Sequence, residues 1–220
     1  MDSATGISKR VLDFAEKIKE EGWGCEDDVY SVKERSTSDL STYALKQGMP
    51  QRIIDTIIGG CADTPAMQAV SKFLEAPREG WCLVLGGPKG LGKSTAAAYY
   101  LWKKILDSES EPSSKMRWWT AARVSRVSSY NQELEKMMQV SVMVIDDLGV
   151  EYMDKNGHFS HRLDELIDDR YSNYKKTIIT TNLNKKDFQA RYGNRVTDRI
   201  REGFKHGGDY LEFSGRSLRA

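Results

Sequence analysis

Cysteine is scarce in this chain. Cys25, Cys61 and Cys82 are its three cysteines, widely spaced, and no C-x-x-C pair exists. That pattern excludes a disulfide framework and a zinc knuckle, and a reduced cytoplasm is the expected setting. Long apolar runs are missing as well. None nears the roughly 18 residues of a membrane span, and Met1-Asp2-Ser3-Ala4-Thr5-Gly6 lacks the apolar core of a signal peptide. An excess of either charge is also absent. Lys plus Arg is 33 and Asp plus Glu is 32, for a net charge of +1. With no global basic field, any nucleic-acid contact has to come from a local patch. There is no internal repeat and no low-complexity tract.

What is there is a phosphate loop. Gly87-Pro88-Lys89-Gly90-Leu91-Gly92-Lys93-Ser94 fits G-x-x-x-x-G-K-[ST], with Thr95 next. Glycines let backbone N–H groups close around a β-phosphate with no Cβ in the way. Lys93 is placed to reach the β and γ oxygens, and Ser94 to put its hydroxyl on Mg²⁺. An apolar run, Trp81 to Gly86, precedes the loop and suits a buried strand. A helix-forming stretch, Thr95 to Lys104, follows it and would aim its positive N-terminus at the same anion.

The rest of the chain alternates strands and helices. Ile7 to Glu21 carries a helical apolar stripe, and residues 25–39 read as a polar linker. The boundary of a nucleotide domain is expected near Gly48-Met49-Pro50, giving residues 1–47 as a helical segment with its linker and 48–220 as the nucleotide domain. Gln51–Ile58 and 64–76 are expected helices, the second with Pro65 at its start. Met116–Thr120 reads as a strand and Ala121–Met138 as a helix. Val140–Ile145 is a nearly continuous β-branched run, which suits a central parallel strand. A helix at His161–Tyr174, a strand at Thr177–Thr181, two short helices (185–192 and 194–202) and a last strand at Tyr210–Phe213 complete the pattern. The fold class is α/β, a parallel sheet with helices on both faces.

Ligands gather at the carboxyl ends of such strands. Asp146 stands at the end of one apolar strand, where a carboxylate can hold Mg²⁺ opposite Ser94. Asp147 beside it is positioned to orient an attacking water. Asn182 closes the Thr177–Thr181 strand, where its amide would touch the γ-phosphate or that water. Arg195-Val196-Thr197-Asp198-Arg199-Ile200-Arg201 is a dense cationic helix. It is either a solvated basic face or a source of an arginine that stabilises a phosphoryl group in a neighbouring subunit.

Together these pieces resemble an AAA+ ATPase of the DnaC/DnaI-type helicase-loader group and its IstB-like relatives, over about residues 48–220. The matching runs are Gly87–Ser94, Val144–Gly149, Leu163–Tyr171, Thr177–Leu183 and Arg195–Ile200. The resemblance implies a P-loop NTPase using ATP and Mg²⁺. Lys93 and Ser94 become Walker A, Asp146 and Asp147 Walker B, and Asn182 sensor 1. Arg199 becomes the arginine finger, with Arg195 as runner-up. Arg216 and Arg219 lie near where a sensor-2-like arginine would sit. The group often has Asp at the Asp147 position where most AAA+ proteins have Glu, which suits slow hydrolysis in a switch.

The resemblance also implies partners: a replicative hexameric helicase gripped through the N-terminal helix, self-association through the ATP sites, and single-stranded DNA. For DNA it points to the region after the second strand, with Arg123, Arg126 and Ser129 on phosphates and Tyr130 stacking on a base. Trp118 and Trp119 are read instead as core and boundary residues of the strand, since neighbours in a strand face opposite ways and at least one should be buried. The competing expectation is an IstB-like transposition helper that binds duplex DNA and a transposase.

Overall fold

A computed structural model describes residues 36–107, 115–126, 132–151 and 158–218. The expected helix over 7–21, the loop at 108–114, Ser129, Tyr130 and Arg219 lie outside the described residues. The described residues form one compact unit.

Five strands build a single sheet: β1 (Cys82–Gly86), β2 (Met116–Thr120), β3 (Val142–Leu148), β4 (Lys176–Thr181) and β5 (Asp209–Glu212). Their order across the sheet is β2-β3-β4-β1-β5, and every pairing is parallel. β1, β3 and β4 are almost continuously buried, as expected of strands covered on both faces. One core contains Leu83, Leu85, Val144 and Ile178, and the other contains Val84, Ile145 and Ile179. Alternate residues of each strand thus feed opposite layers. Trp118 packs in the first core and Trp119 in the second, so both are nearly fully buried where a core and a boundary residue were expected.

Helices α3 (Pro65–Leu74) and α4 (Lys93–Leu106) cover one face. α7 (His158–Ser172) and α8 (Lys185–Glu202) cover the other. α8 is kinked at Gly193, whose φ of 81° and ψ of 170° break the helix where two short helices were expected. The stretch read as one helix, 121–138, instead contains two pieces, α5 (Ala121–Val124) and α6 (Gln132–Gln139). Thr120 caps α5 by accepting from the Arg123 N–H.

The largest departure from the sequence reading lies before the phosphate loop. α1 (Thr37–Lys46) opens with a capping box in which Ser36 and Asp39 bond each other's backbone N–H. Its Leu40 and Ala44 pack in the same core as α3 and α4. The folded unit therefore takes in residues that a boundary at 48 assigned to a linker segment. Only two buried apolar side chains mark α1, too few to show as a stripe in a polar stretch. After it, Gln47 covers the outer edge of β2. Its carbonyl accepts from the Trp118 N–H at 2.8 Å, and its side-chain oxygen accepts from Arg117. This occupies one backbone donor of the edge strand. α2 (Gln51–Ile58) follows as expected.

Arg170 on α7 is fully buried and ties the layers together. Its Nε donates to the Thr177 hydroxyl at 2.6 Å, and its terminal nitrogens to the carbonyls of Met137, Val140, Ser141 and Lys176. Burial pulls its pKa below the ordinary arginine value, and the ring of acceptors offsets the cost of desolvating the charge. Arg170→Met fills similar space but orphans these acceptors. Chemical denaturation should show a loss of about 3 kcal/mol or more.

Candidate active site

The phosphate loop joins β1 to α4. Gly87, Gly90 and Gly92 all have positive φ, at 119°, 87° and 77°. For Gly87 and Gly90 the requirement is also spatial. A Cβ at Gly87 would lie 2.2 Å from the Phe213 carbonyl oxygen, and one at Gly90 would lie 2.0 Å from the Ser217 hydroxyl. The C-terminal segment after β5 therefore runs directly along the loop. The Phe213 N–H donates to the Gly86 carbonyl at 3.0 Å and the Leu218 N–H to the Gly90 carbonyl at 2.7 Å. Lys93, only 6% exposed, turns back into the loop and donates to the Gly87 and Pro88 carbonyls, each at 2.7 Å. The Asn182 side-chain oxygen accepts from the same ammonium at 3.5 Å.

The two acids are separated by a bulge. Ile145 pairs with Ile179 and Leu148 with Thr181, so β3 carries one residue more than β4 over this interval. Asp147 takes a left-handed φ of 58° and is exposed, while Asp146 is 7% exposed. Asp tolerates this conformation better than most residues. The Thr180 hydroxyl donates to Asp146 Oδ1 at 2.6 Å and accepts from the Asp147 N–H at 2.9 Å. Burial raises the pKa of Asp146 above the ordinary carboxylate value. Hydrogen bonds from Thr180 and Ser94 oppose that shift, as does the charge of Lys93. The Ser94 hydroxyl and the Asp146 carboxylate are thus adjacent hard oxygen donors at the mouth of the loop, a set that fits Mg²⁺.

A cleft of about 510 Å³ holds Lys89 to Thr95, Asp146, Asp147 and Asn182 together. Its opposite wall was not foreseen. Pro50, Arg52, Ile53 and Thr56 of the α2 region and Leu218 of the C-terminal segment complete it. Ile53 and Leu218 give an otherwise polar cleft an apolar side suited to a flat base. The apolar run of α2 was visible in sequence, but its approach to the loop is a product of tertiary packing. Thr180 was missed too, because in Thr-Ile-Ile-Thr-Thr it reads as one more β-branched strand residue.

The cationic residues sit elsewhere. Arg195 and Arg199 on α8 do not line the cleft and are clamped by α7. Arg195 bonds Asp164 at 3.1 Å, and Arg199 bonds Asp168 at 2.5 Å and Asp164 at 3.5 Å. Arg195 is the more accessible of the two at 64% side-chain exposure, against 18% for Arg199. The Arg199 guanidinium also lies 6.0 Å from the centre of the Tyr171 ring. Arg216 borders a separate hollow of about 180 Å³ with Thr64, Pro65 and Leu91. Arg123 and Arg126 are both exposed, at and just after α5.

A glycine-lined loop, a buried strand-end acid and a five-stranded parallel sheet of this order define a P-loop NTPase of the AAA+ type. The chain belongs to the family of IstB-like ATP binding proteins, whose model matches residues 67–220. Among solved structures, the fold is similar to that of the DnaC helicase loader, with a TM-score of 0.60 at 21% identity over 75% of this chain and 100% of that one. It is also similar to DnaI, with a TM-score of 0.54 at 20% identity over 78% of this chain and 94% of that one. Domain III of the Thermotoga maritima replication initiation protein DnaA gives 0.52 at 16% identity, over 68% and 61% of the two chains. No curated protein sequence matches the chain. Among the described residues, no helix is long and apolar enough to cross a membrane.

Two substitutions test the loop. Lys93→Ala removes the cation that lies inside it and should abolish binding of a fluorescent ATP analogue. Gly87→Ala puts a Cβ against a backbone carbonyl at a left-handed φ, so its affinity for the analogue should fall at least about tenfold.

Proposed function

We propose that the chain is an ATP-dependent helicase loader that assembles on single-stranded DNA, with ATP hydrolysis as the release switch. The observation that carries this reading is the division of the catalytic parts. Loop, acids and amide converge on one cleft, whereas the α8 arginines are held on α7, outside that cleft. An arginine presented in this way suits a neighbouring subunit's ATP better than its own. The similarity in fold to DnaC and DnaI supports the loader class.

In this reading Lys93 binds the β and γ oxygens, and the loop N–H groups enclose the phosphates. Ser94 and Asp146 would hold Mg²⁺, which supplies charge neutralisation at the β and γ oxygens. Asp147, turned out by the bulge, orients water for attack, and Asn182 reports the γ-phosphate to β4. Aspartate reaches less far than glutamate, which suits slow hydrolysis. Asp164 and Asp168 hold the guanidinium groups of Arg195 and Arg199 in place before a partner arrives. Arg199 serves as the finger, with Arg195 beside it as the more exposed alternative. Arg123 and Arg126 track DNA phosphates, and the Ile7–Glu21 segment meets the helicase.

Arg199→Ala should leave ATP binding within about twofold while cutting assembly-dependent hydrolysis by roughly 10³-fold. A wild-type rate independent of protein concentration contradicts a finger acting between subunits. The double change Arg123→Ala with Arg126→Ala should weaken single-stranded DNA binding and flatten its salt dependence by about 0.7 per lost phosphate contact in log–log slope. ATPase stimulation by duplex but not single-stranded DNA would favour a transposition helper instead.

A further inference from the structure

We infer that Thr180 is a positioning residue for the metal half of this site. It fixes Asp146 towards the nucleotide-bound cation and Asp147 away from it through a single hydroxyl. The inference rests on the nucleotide reading above and adds a residue to it.

The direction of the hydrogen bonds follows from valence. A hydroxyl has one proton and two lone pairs. The Asp147 N–H can only donate, so at 2.9 Å the Thr180 oxygen must accept from it. The hydroxyl proton is then directed at Asp146 Oδ1, 2.6 Å away. Thr180 is 1% exposed, so water does not compete for either bond. Its rotamer is further limited by β-branching within β4. One atom therefore sets the rotation of the buried carboxylate and closes the extra residue of the bulge.

The neighbouring hydroxyl completes the frame on the other side. Thr181 donates to the Leu148 carbonyl at 2.5 Å and accepts from the Leu183 N–H at 3.1 Å. The bulge is thus fastened at both ends by consecutive threonines, but only Thr180 touches a carboxylate. With Oδ1 occupied by Thr180, the carboxylate is held in one orientation beside the Ser94 hydroxyl. A valine at 180 keeps the shape and the β propensity, removes the donor to Asp146 and orphans the Asp147 N–H. A serine keeps both bonds and loses only the methyl.

The test is a Mg²⁺ titration of ATP-analogue binding, with affinity in EDTA measured alongside. Thr180→Val should need about tenfold more Mg²⁺ for half-maximal enhancement of binding, the change expected from one lost charge-assisted bond, with EDTA affinity unchanged. Thr180→Ser should titrate like the wild type. The inference is overturned if Thr180→Val titrates at the wild-type Mg²⁺ midpoint. It is equally overturned if its EDTA affinity and thermal stability fall without a shift of that midpoint, which is the mark of a purely structural role. Should the valine variant not fold, Thr180→Ala takes its place with the same displaced midpoint expected, and a folded alanine variant with the wild-type midpoint overturns the inference. A wild-type protein whose nucleotide binding ignores Mg²⁺ would remove the metal reading itself. A Mg²⁺-sensitive wild type with an insensitive position 180 removes only this inference.

Discussion

Three central strands have to finish at one level. β3, β4 and β1 lie side by side, and the phosphate loop, both acids and the Asn182 amide all leave from their carboxyl ends. In a regular strand consecutive residues point to opposite faces of the sheet, which would send Asp147 into the layer opposite Asp146. The extra residue in β3 changes this. It turns Asp147 outward at a left-handed φ and leaves Asp146 buried beside Ser94. The Thr180 hydroxyl, bonded to both acids, is the interaction on which that division depends.

The scaffold behind the site is tied together by buried polar groups. Arg170 gathers four carbonyls and a hydroxyl from the start of β4 and the α6–β3 connection. Glu151, whose side chain is fully buried, does similar work after the bulge. It accepts from the Gly149 N–H at 2.6 Å, from Arg191 at 2.9 Å and from the Tyr192 hydroxyl at 2.8 Å. The segment that follows the acids is thereby fastened to α8 at Arg191 and Tyr192, immediately before the Gly193 kink and ahead of the two clamped arginines. Removing one partner from such a network leaves the others desolvated and unpaired, which costs more than the network adds when intact.

Much of this was legible in sequence. The loop, Asp146, Asp147 and Asn182 could be placed because each sits at the junction of an apolar strand with a polar turn, and such junctions show as composition changes. The order of strands and helices followed for the same reason. What was not legible depends on contacts between distant segments. α1 has only Leu40 and Ala44 to mark it. Ile53 and Leu218 face the cleft only because α2 and the C-terminal segment converge on the loop. Thr180 carries no signal of its own, since a threonine in a strand is ordinary until its hydroxyl is seen between two acids. The arginine run lay between two readings, and the salt bridges to Asp164 and Asp168 that hold it come from another helix.

The central claim is that one subunit's cleft is completed by its neighbour's arginine. The most direct measurement mixes two inactive variants. Lys93→Ala binds no nucleotide but keeps Arg199, and Arg199→Ala binds ATP but lacks the arginine. If the site is shared, ATP hydrolysis by the mixture on single-stranded DNA should rise well above that of either variant alone and approach a set fraction of the wild-type rate as the ratio is varied. A mixture no more active than the sum of its parts, under conditions where the two variants co-assemble, would contradict the account.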